Sequence, residues 1–161
     1  MRWEDLDREA CSVARTLSVV GDRWTLLVLR ECFLGTRRFE EFEQRLGIAR
    51  HVLADRLKKL TEADVLTKVA YQERPRREEY RLSEKGRDLY PVMMTLAQWG
   101  DKHMAGPEGP PLLRVHNACT HVMEGVLVCS DCGEPLAARD VSVKAGPGAA
   151  EATLPAAAKR A

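Results

Sequence analysis

Residues 45–60 read RLGIARHVLADRLKKL, and their spacing decides the fold. Leu53, Leu57 and Leu60 recur at helical intervals and form one apolar edge, while His51, Ala54, Asp55, Lys58 and Glu62 lie across the helix from them. Gly47 breaks the chain just upstream, and before it Phe39, Phe42 and Leu46 fall at i, i+3 and i+7, a second helical face. Two short helices around a tight glycine-containing turn are the signature of a helix-turn-helix. Residues 66–71, LTKVAY, and 79–82, EYRL, then read as strands from their β-branched and aromatic content. QERPRRE lies between them, with Pro75 kept out of the ladder. A hairpin directly behind a helix-turn-helix is a wing. The expected fold is therefore mainly α with a small β-hairpin wing, a winged helix-turn-helix, plus a small C-terminal Cys/His hairpin.

Working outward, the residues from about Asp5 to Leu34 read as two helices broken at Gly21. Asp22 is placed to cap the second by accepting a backbone N–H. That helix is apolar on several sides, through Trp24, Leu26, Leu27, Val28, Leu29 and Phe33, and should be buried; Gly35 ends it. Downstream, Ser83 caps a further helix that runs to about Met104, with Pro91 expected to kink or divide it. Its apolar stripe, Leu89, Val92, Met93, Leu96 and Trp99, reads either as core or as a dimer seam; the seam is the expectation, because the earlier helices already supply a core face. The expected organisation is a winged-helix and dimerisation domain over 1–105, a linker over 106–111 (GPEGPP), a Cys/His ribbon-like segment over 112–144 and a low-complexity, disordered tail over 145–161.

Net charge is only +1, so nucleic acid can be addressed only through local clusters. Residues 48–81 hold nine basic against six acidic side chains, and their placement matters more than this small excess. In a helix-turn-helix the second helix enters the major groove, so Arg50, His51, Ala54 and Asp55 would reach base edges. Lys58, further along, and Lys59 suit phosphates. Arg74, Arg76 and Arg77 crowd the hairpin tip and would repel one another without an anion such as a narrow minor groove; Arg37 and Arg38 add phosphate contacts. One such module makes few phosphate contacts, so a homodimer on a pseudo-palindromic operator of double-stranded DNA is expected. A winged-helix and zinc-ribbon scaffold that binds protein is the alternative, and the arginine-rich wing tip disfavours it.

No apolar run is long enough to span a bilayer, and the charged N-terminus MRWEDLDREA lacks the core of a signal peptide, so a cytoplasmic protein without membrane association is expected. No nucleophile–base pair, phosphate loop or paired carboxylates appear, so no catalytic residue is assigned and an enzyme is not expected. Five cysteines in a reducing compartment are reactive or metal-bound more often than disulfide-bonded. Cys11, near a helix start, is a redox candidate, because the helix terminus favours its thiolate; the plain alternative is a small buried hydrophobe at the dimer seam. Cys32, in the buried helix, carries no assigned chemistry. In VHNACTHVMEGVLVCSDCGEPL, the pairs His116-x-x-Cys119 and Cys129-x-x-Cys132 have the form of a tetrahedral Cys₃His zinc site, with His121 competing for the place of His116. The gap between the pairs is shorter than usual, and a thiol-bearing hairpin without metal is the alternative.

Three stretches, CSVARTLSVVGDRWTLLVLREC, GTRRFEEFEQRLGIARHVLADRLKKLTEADVL and YRLSEKGRDLYPVMMTLAQWGDKH, together resemble the HxlR-type winged helix-turn-helix regulators, a bacterial branch of the MarR-like repressors. They run through residues 11–103, more than half the chain. The resemblance implies an intracellular, dimeric transcriptional regulator, most often a repressor, whose N-terminal and long C-terminal helices build the dimer. It places Arg50, His51, Ala54, Asp55 and Lys58 on the recognition helix and Arg74 to Arg77 on the wing. It also implies that a cysteine at the position of Cys11 can sense oxidants or quinones, with the inducer itself unknown. Ala49 departs from the hydroxyl side chain common at this helix start and leaves a backbone N–H for a phosphate to satisfy.

Overall fold

Asp22 sets the first fixed point of the fold. Its carboxylate accepts from the backbone N–H of Trp24 at 2.9 Å and of Thr25 at 3.3 Å, and so starts a helix where the sequence places one. In the computed structural model, which describes residues 3–149, the elements follow in the order 3₁₀ turn Trp3–Arg8, α1 Ser12–Val20, α2 Arg23–Phe33, α3 Phe39–Leu46, α4 Arg50–Glu62, β1 Leu66–Glu73, β2 Arg76–Leu82, α5 Glu84–Arg87 and α6 Tyr90–Met104. The chain divides into two units, Met1–Met93 and Met94–Ala161.

In the first unit the core is made by α2, α3, α4 and the root of the hairpin. Val28, Leu29, Phe42, Leu53, Leu57 and Leu60 are fully buried, with Val20, Ile48, Val65 and Leu66 around them. The apolar edge read from the sequence of α4 is thus the buried edge. Gly47, at φ +59, makes the left-handed turn between α3 and α4 that a side chain with a Cβ adopts only under strain. Burial along α2 is narrower than its composition suggests. Thr25, Val28, Leu29 and Glu31 are the buried residues, whereas Trp24, Leu26 and Leu27 are half-buried.

The buried carboxylate of Glu31 was invisible to helical periodicity. It accepts from Arg30 at 2.6 Å, from the hydroxyl of Thr36 at 3.3 Å and from Arg45 of α3, and so ties α2 to the helix-turn-helix. Burial pushes the carboxyl up, but the hydrogen bonds and charges of the two arginines outweigh it and hold the group below its ordinary 4.5.

The hairpin is longer than its sequence suggests. β1 and β2 pair antiparallel from Leu66↔Leu82 to Glu73↔Arg76, leaving only Arg74 and Pro75 outside the strands, with an irregularity between Ala70 and Gln72. Arg76 and Arg77 therefore lie within β2 rather than at a loose tip. The reason is cross-strand pairing: Arg77 faces Gln72 and Arg76 faces Glu73, so polar residues with little strand preference of their own are held by what stands opposite. Residue 37 adds to the sheet edge through a bond from the Tyr80 N–H to the Arg37 carbonyl at 2.8 Å.

Ser83 caps α5 as expected, accepting from the Gly86 N–H at 3.0 Å, and its hydroxyl donates to the Asp64 carbonyl at 2.6 Å. The helix read as one from Ser83 onward is two: α5 ends at Arg87, and Pro91 sits in the first turn of α6, where its missing N–H costs nothing. No residue of α6 is buried.

In the second unit, residues 94–104 of α6 are followed by extended chain and two bridged turns. Arg114 pairs with Asp101 at 2.7 Å, and Gln98 donates to the Gly125 carbonyl at 3.2 Å. Isolated bridges join Val115 to Val122 and Val128 to Pro135. Most of the tail expected over 145–161 lies outside the described residues.

Candidate nucleic-acid interface and Cys/His turns

On α4 the solvent-facing set is Arg50, His51, Ala54, Asp55, Lys58 and Lys59, all exposed, opposite the buried leucines. The start of the helix carries no side-chain cap, since Ala49 offers no acceptor, so its first N–H groups are open to an anion.

The exposed charges are mostly engaged with one another. Arg50 lies 2.9 Å from Glu43 of α3, with its guanidinium 4.5 Å from the centre of the Phe39 ring. Asp55 pairs with Lys59 and with Arg56, each at 3.2 Å, and Lys58 pairs with Glu62 at 3.7 Å. Arg56, counted among the basic residues of this stretch, is turned inward: it is 20 % exposed and 3.0 Å from Asp22, so it locks α4 to the start of α2 and is withdrawn from the surface. His51 has no ion-pair partner among the described residues.

On the wing, Arg76 pairs with Glu78 at 2.9 Å, whereas Arg74 and Arg77 are exposed and have no ion pair among the described residues. Arg37 reaches the buried Glu79 at 3.9 Å, and Arg81 holds the same carboxylate at 2.6 Å. Arg38 stacks 4.7 Å over the ring of Tyr71. The sequence reading missed Glu43 and Tyr71, which hold Arg50 and Arg38. An acidic residue three to seven positions away is the only local signal of the first, and it points equally to solvated charge. Exposed ion pairs of this kind contribute roughly 0–1 kcal/mol, so each can be exchanged for a phosphate at little cost.

The five cysteines differ sharply. Cys11 is exposed and occupies the N-cap of α1, with extended backbone. Burial pushes the Cys32 thiol up to about 12, which disfavours its thiolate. In the second unit, His116 Nδ1 lies 3.3 Å from Cys119 Sγ. The backbone N–H groups of Cys132 and Asp131 and the Cys132 thiol draw the Cys129 thiol below its ordinary value. The structure therefore brings together the members of each pair. It does not gather both pairs into one ligand set: among the described residues no three His, Cys, Asp or Glu side chains form a group able to hold a metal ion. Among the described residues, no helix is long and apolar enough to cross a membrane.

Known proteins place this arrangement. An HTH-type transcriptional regulator of Mycobacterium tuberculosis is 46% identical over 140 residues, 87% of this chain and 89% of the relative. Among solved structures, a protein described as a transcription factor superposes with a TM-score of 0.77 at 37% identity, over 85% of this chain and 96% of that one. The redox regulator HypR in its oxidized form superposes with a TM-score of 0.55 at 29% identity, over 60% of this chain and all of that one. Residues 19–107, which contain the whole helix-turn-helix and wing, match the HxlR-like helix-turn-helix family. With that match and the winged helix-turn-helix architecture, the chain belongs to the HxlR-like helix-turn-helix family and is a transcriptional regulator rather than an enzyme.

Proposed function

We propose that the protein is a homodimeric, sequence-specific binder of double-stranded DNA that acts in the cytoplasm as a repressor on a pseudo-palindromic operator. The observation that carries this reading is α4: it buries Leu53, Leu57 and Leu60 completely and turns His51, Ala54 and Asp55 to solvent beside an uncapped helix start. Those residues read base edges in the major groove. Arg74 and Arg77 approach the neighbouring strand from the wing, and Arg37, Arg38, Lys58 and Lys59 hold phosphates once their internal partners are exchanged. The dimer is supported by α6, where Val92, Leu96 and Trp99 stand 46%, 48% and 58% exposed, an apolar set that water disfavours and a second copy would cover.

The test is selection of bound duplexes from a genomic library at low salt, followed by titration of the selected duplex. A recurring two-fold site bound by a dimer is the expected result. Indifference to every duplex at low ionic strength would overturn the reading and favour the protein-binding scaffold instead.

A second reading concerns the signal. Cys11 is a free, exposed thiol at the N-cap of α1, open to an oxidant from solvent. Oxidation of Cys11 is proposed to release the operator. Operator release by an oxidant that persists in Cys11→Ser would remove this role.

A further inference from the structure

The second unit makes the same turn twice, thirteen residues apart. In the first turn His116 donates its N–H to the His121 carbonyl at 3.0 Å, Thr120 donates to His116 at 2.7 Å, and Met123 donates to Arg114 at 2.8 Å. In the second, Cys129 donates to Glu134 at 2.9 Å, Gly133 to Cys129 at 2.9 Å, and Leu136 to Leu127 at 2.8 Å. Every donor and every acceptor is displaced by the same step, and so are the flanking bridges Val115↔Val122 and Val128↔Pro135. The fifth residue of each turn has a left-handed backbone, Thr120 at φ 60 and Gly133 at φ 75. A β-branched threonine in that region is a true outlier, and it persists only where the turn is needed.

We propose that the two turns are the halves of one tetrahedral zinc site, with His116 and Cys119 supplied by the first and Cys129 and Cys132 by the second. The inference is independent of the DNA-binding reading. Three features carry it. The first is donor chemistry: three thiols and one imidazole form a borderline-soft set that suits zinc over magnesium or calcium. The second is bite: metal–ligand lengths of about 2.0 and 2.3 Å in a tetrahedron put nitrogen and sulfur about 3.5 Å apart, and His116 Nδ1 already stands 3.3 Å from Cys119 Sγ.

The third is the missing core. None of residues 105–149 is buried, and Val115, Val122, Leu127 and Val128 are all more than half exposed. A segment of this size that buries no apolar side chain needs a staple to hold regular turns. The two ligand pairs stand apart, but only residues 124–126 separate the bonded frames of the two turns; Gly125 in that link is held by Gln98 of α6, and no residue of either frame is buried. The ion closes them on each other, and the three thiols lose their protons as it binds. The repeat also settles which histidine is the ligand. His116 corresponds to Cys129, whereas His121 corresponds to Glu134, outside the ligand positions.

The test uses the full chain purified without a His tag. Metal analysis should find about one zinc per chain. After chelation, titration with cobalt(II) alone should give tetrahedral d–d absorption and thiolate charge-transfer bands. Cys129→Ser, Cys132→Ser, Cys119→Ser and His116→Ala should each lower zinc content several-fold, while His121→Ala keeps it. A wild-type chain with a trace of zinc and no thiolate–cobalt bands would overturn the site whatever the variants do. Loss in His121→Ala with retention in His116→Ala would overturn the ligand assignment.

Discussion

Arg74 and Arg77 differ from Arg76 in one respect that matters for an anion: Arg76 already has a carboxylate at 2.9 Å. Neutralising one phosphate contributes about 0.9 to the slope of log affinity against log salt. Arg74→Ala and Arg77→Ala should therefore each flatten that slope by about 0.9 and weaken all duplexes alike, whereas Arg76→Ala should change it less, because the Glu78 carboxylate already offsets part of the Arg76 charge. Titrations of one duplex at several salt concentrations check this. His51→Ala should instead relax preference at particular base pairs, by about 1–3 kcal/mol, which competition between single-base variants of the operator reads directly. Glu31 gives a pH dependence with a definite sign. Its carboxyl is held below the ordinary 4.5, so its contribution to stability is complete above that value and is lost as pH falls through the lower folded-state value. Glu31→Gln should be less stable than wild type by about 1–3 kcal/mol at pH 7, and the two should converge in acid; urea midpoints at both pH values are the measurement. Arg30 and Arg45 are about half exposed and can rehydrate, which keeps the cost below that of a sealed ion pair.

The helix-turn-helix and the wing are joined at one crowded point. A Cβ on Gly86 would lie 2.2 Å from the carbonyl oxygen of Val65, the oxygen that accepts from the Ser83 N–H at 3.1 Å. Backbone cannot swing aside as a flexible side chain would. Gly86→Ala should push α5 off the end of the hairpin and cost about 1–3 kcal/mol of stability, read as a lower urea midpoint with an unchanged slope. Nothing local in the sequence announces this contact, because glycine in a short helix reads only as a weak helix former. The wing shows the same limit from the other side. Its roots, Leu66 and Leu82, are plain in the alternation of residue types, but the pairing of Glu73 with Arg76 is a property of two strands and not of either.

For the molecule as a whole, assembly turns on the apolar set that α6 presents to solvent. Val92, Leu96 and Trp99 are each close to half exposed or more, and α1 also leaves Val13 at 67%. Leu96→Lys and Trp99→Lys should leave the winged helix folded, since neither residue is in its core, yet shift the protein to monomer in sedimentation. Operator affinity should fall with the dimer, because two modules on one duplex bind far more tightly than one. A variant that stays dimeric with unchanged affinity would place the seam elsewhere.

What the sequence by itself determined is whatever depends on neighbours a few positions away. The apolar edge of α4, the turn at Gly47, the caps at Asp22 and Ser83 and the division of the last helix just before Pro91 follow from helical spacing, left-handed turns, short capping bonds and the missing proline N–H. What only the tertiary structure decided is which charges remain free. Arg56 against Asp22, Arg45 against Glu31 and Arg37 against Glu79 join residues brought together by helix and strand packing. Periodicity says which way a side chain faces but not what stands opposite it. An arginine one turn along from a binding face is therefore indistinguishable in sequence from one that clamps two helices together, until the helices are packed.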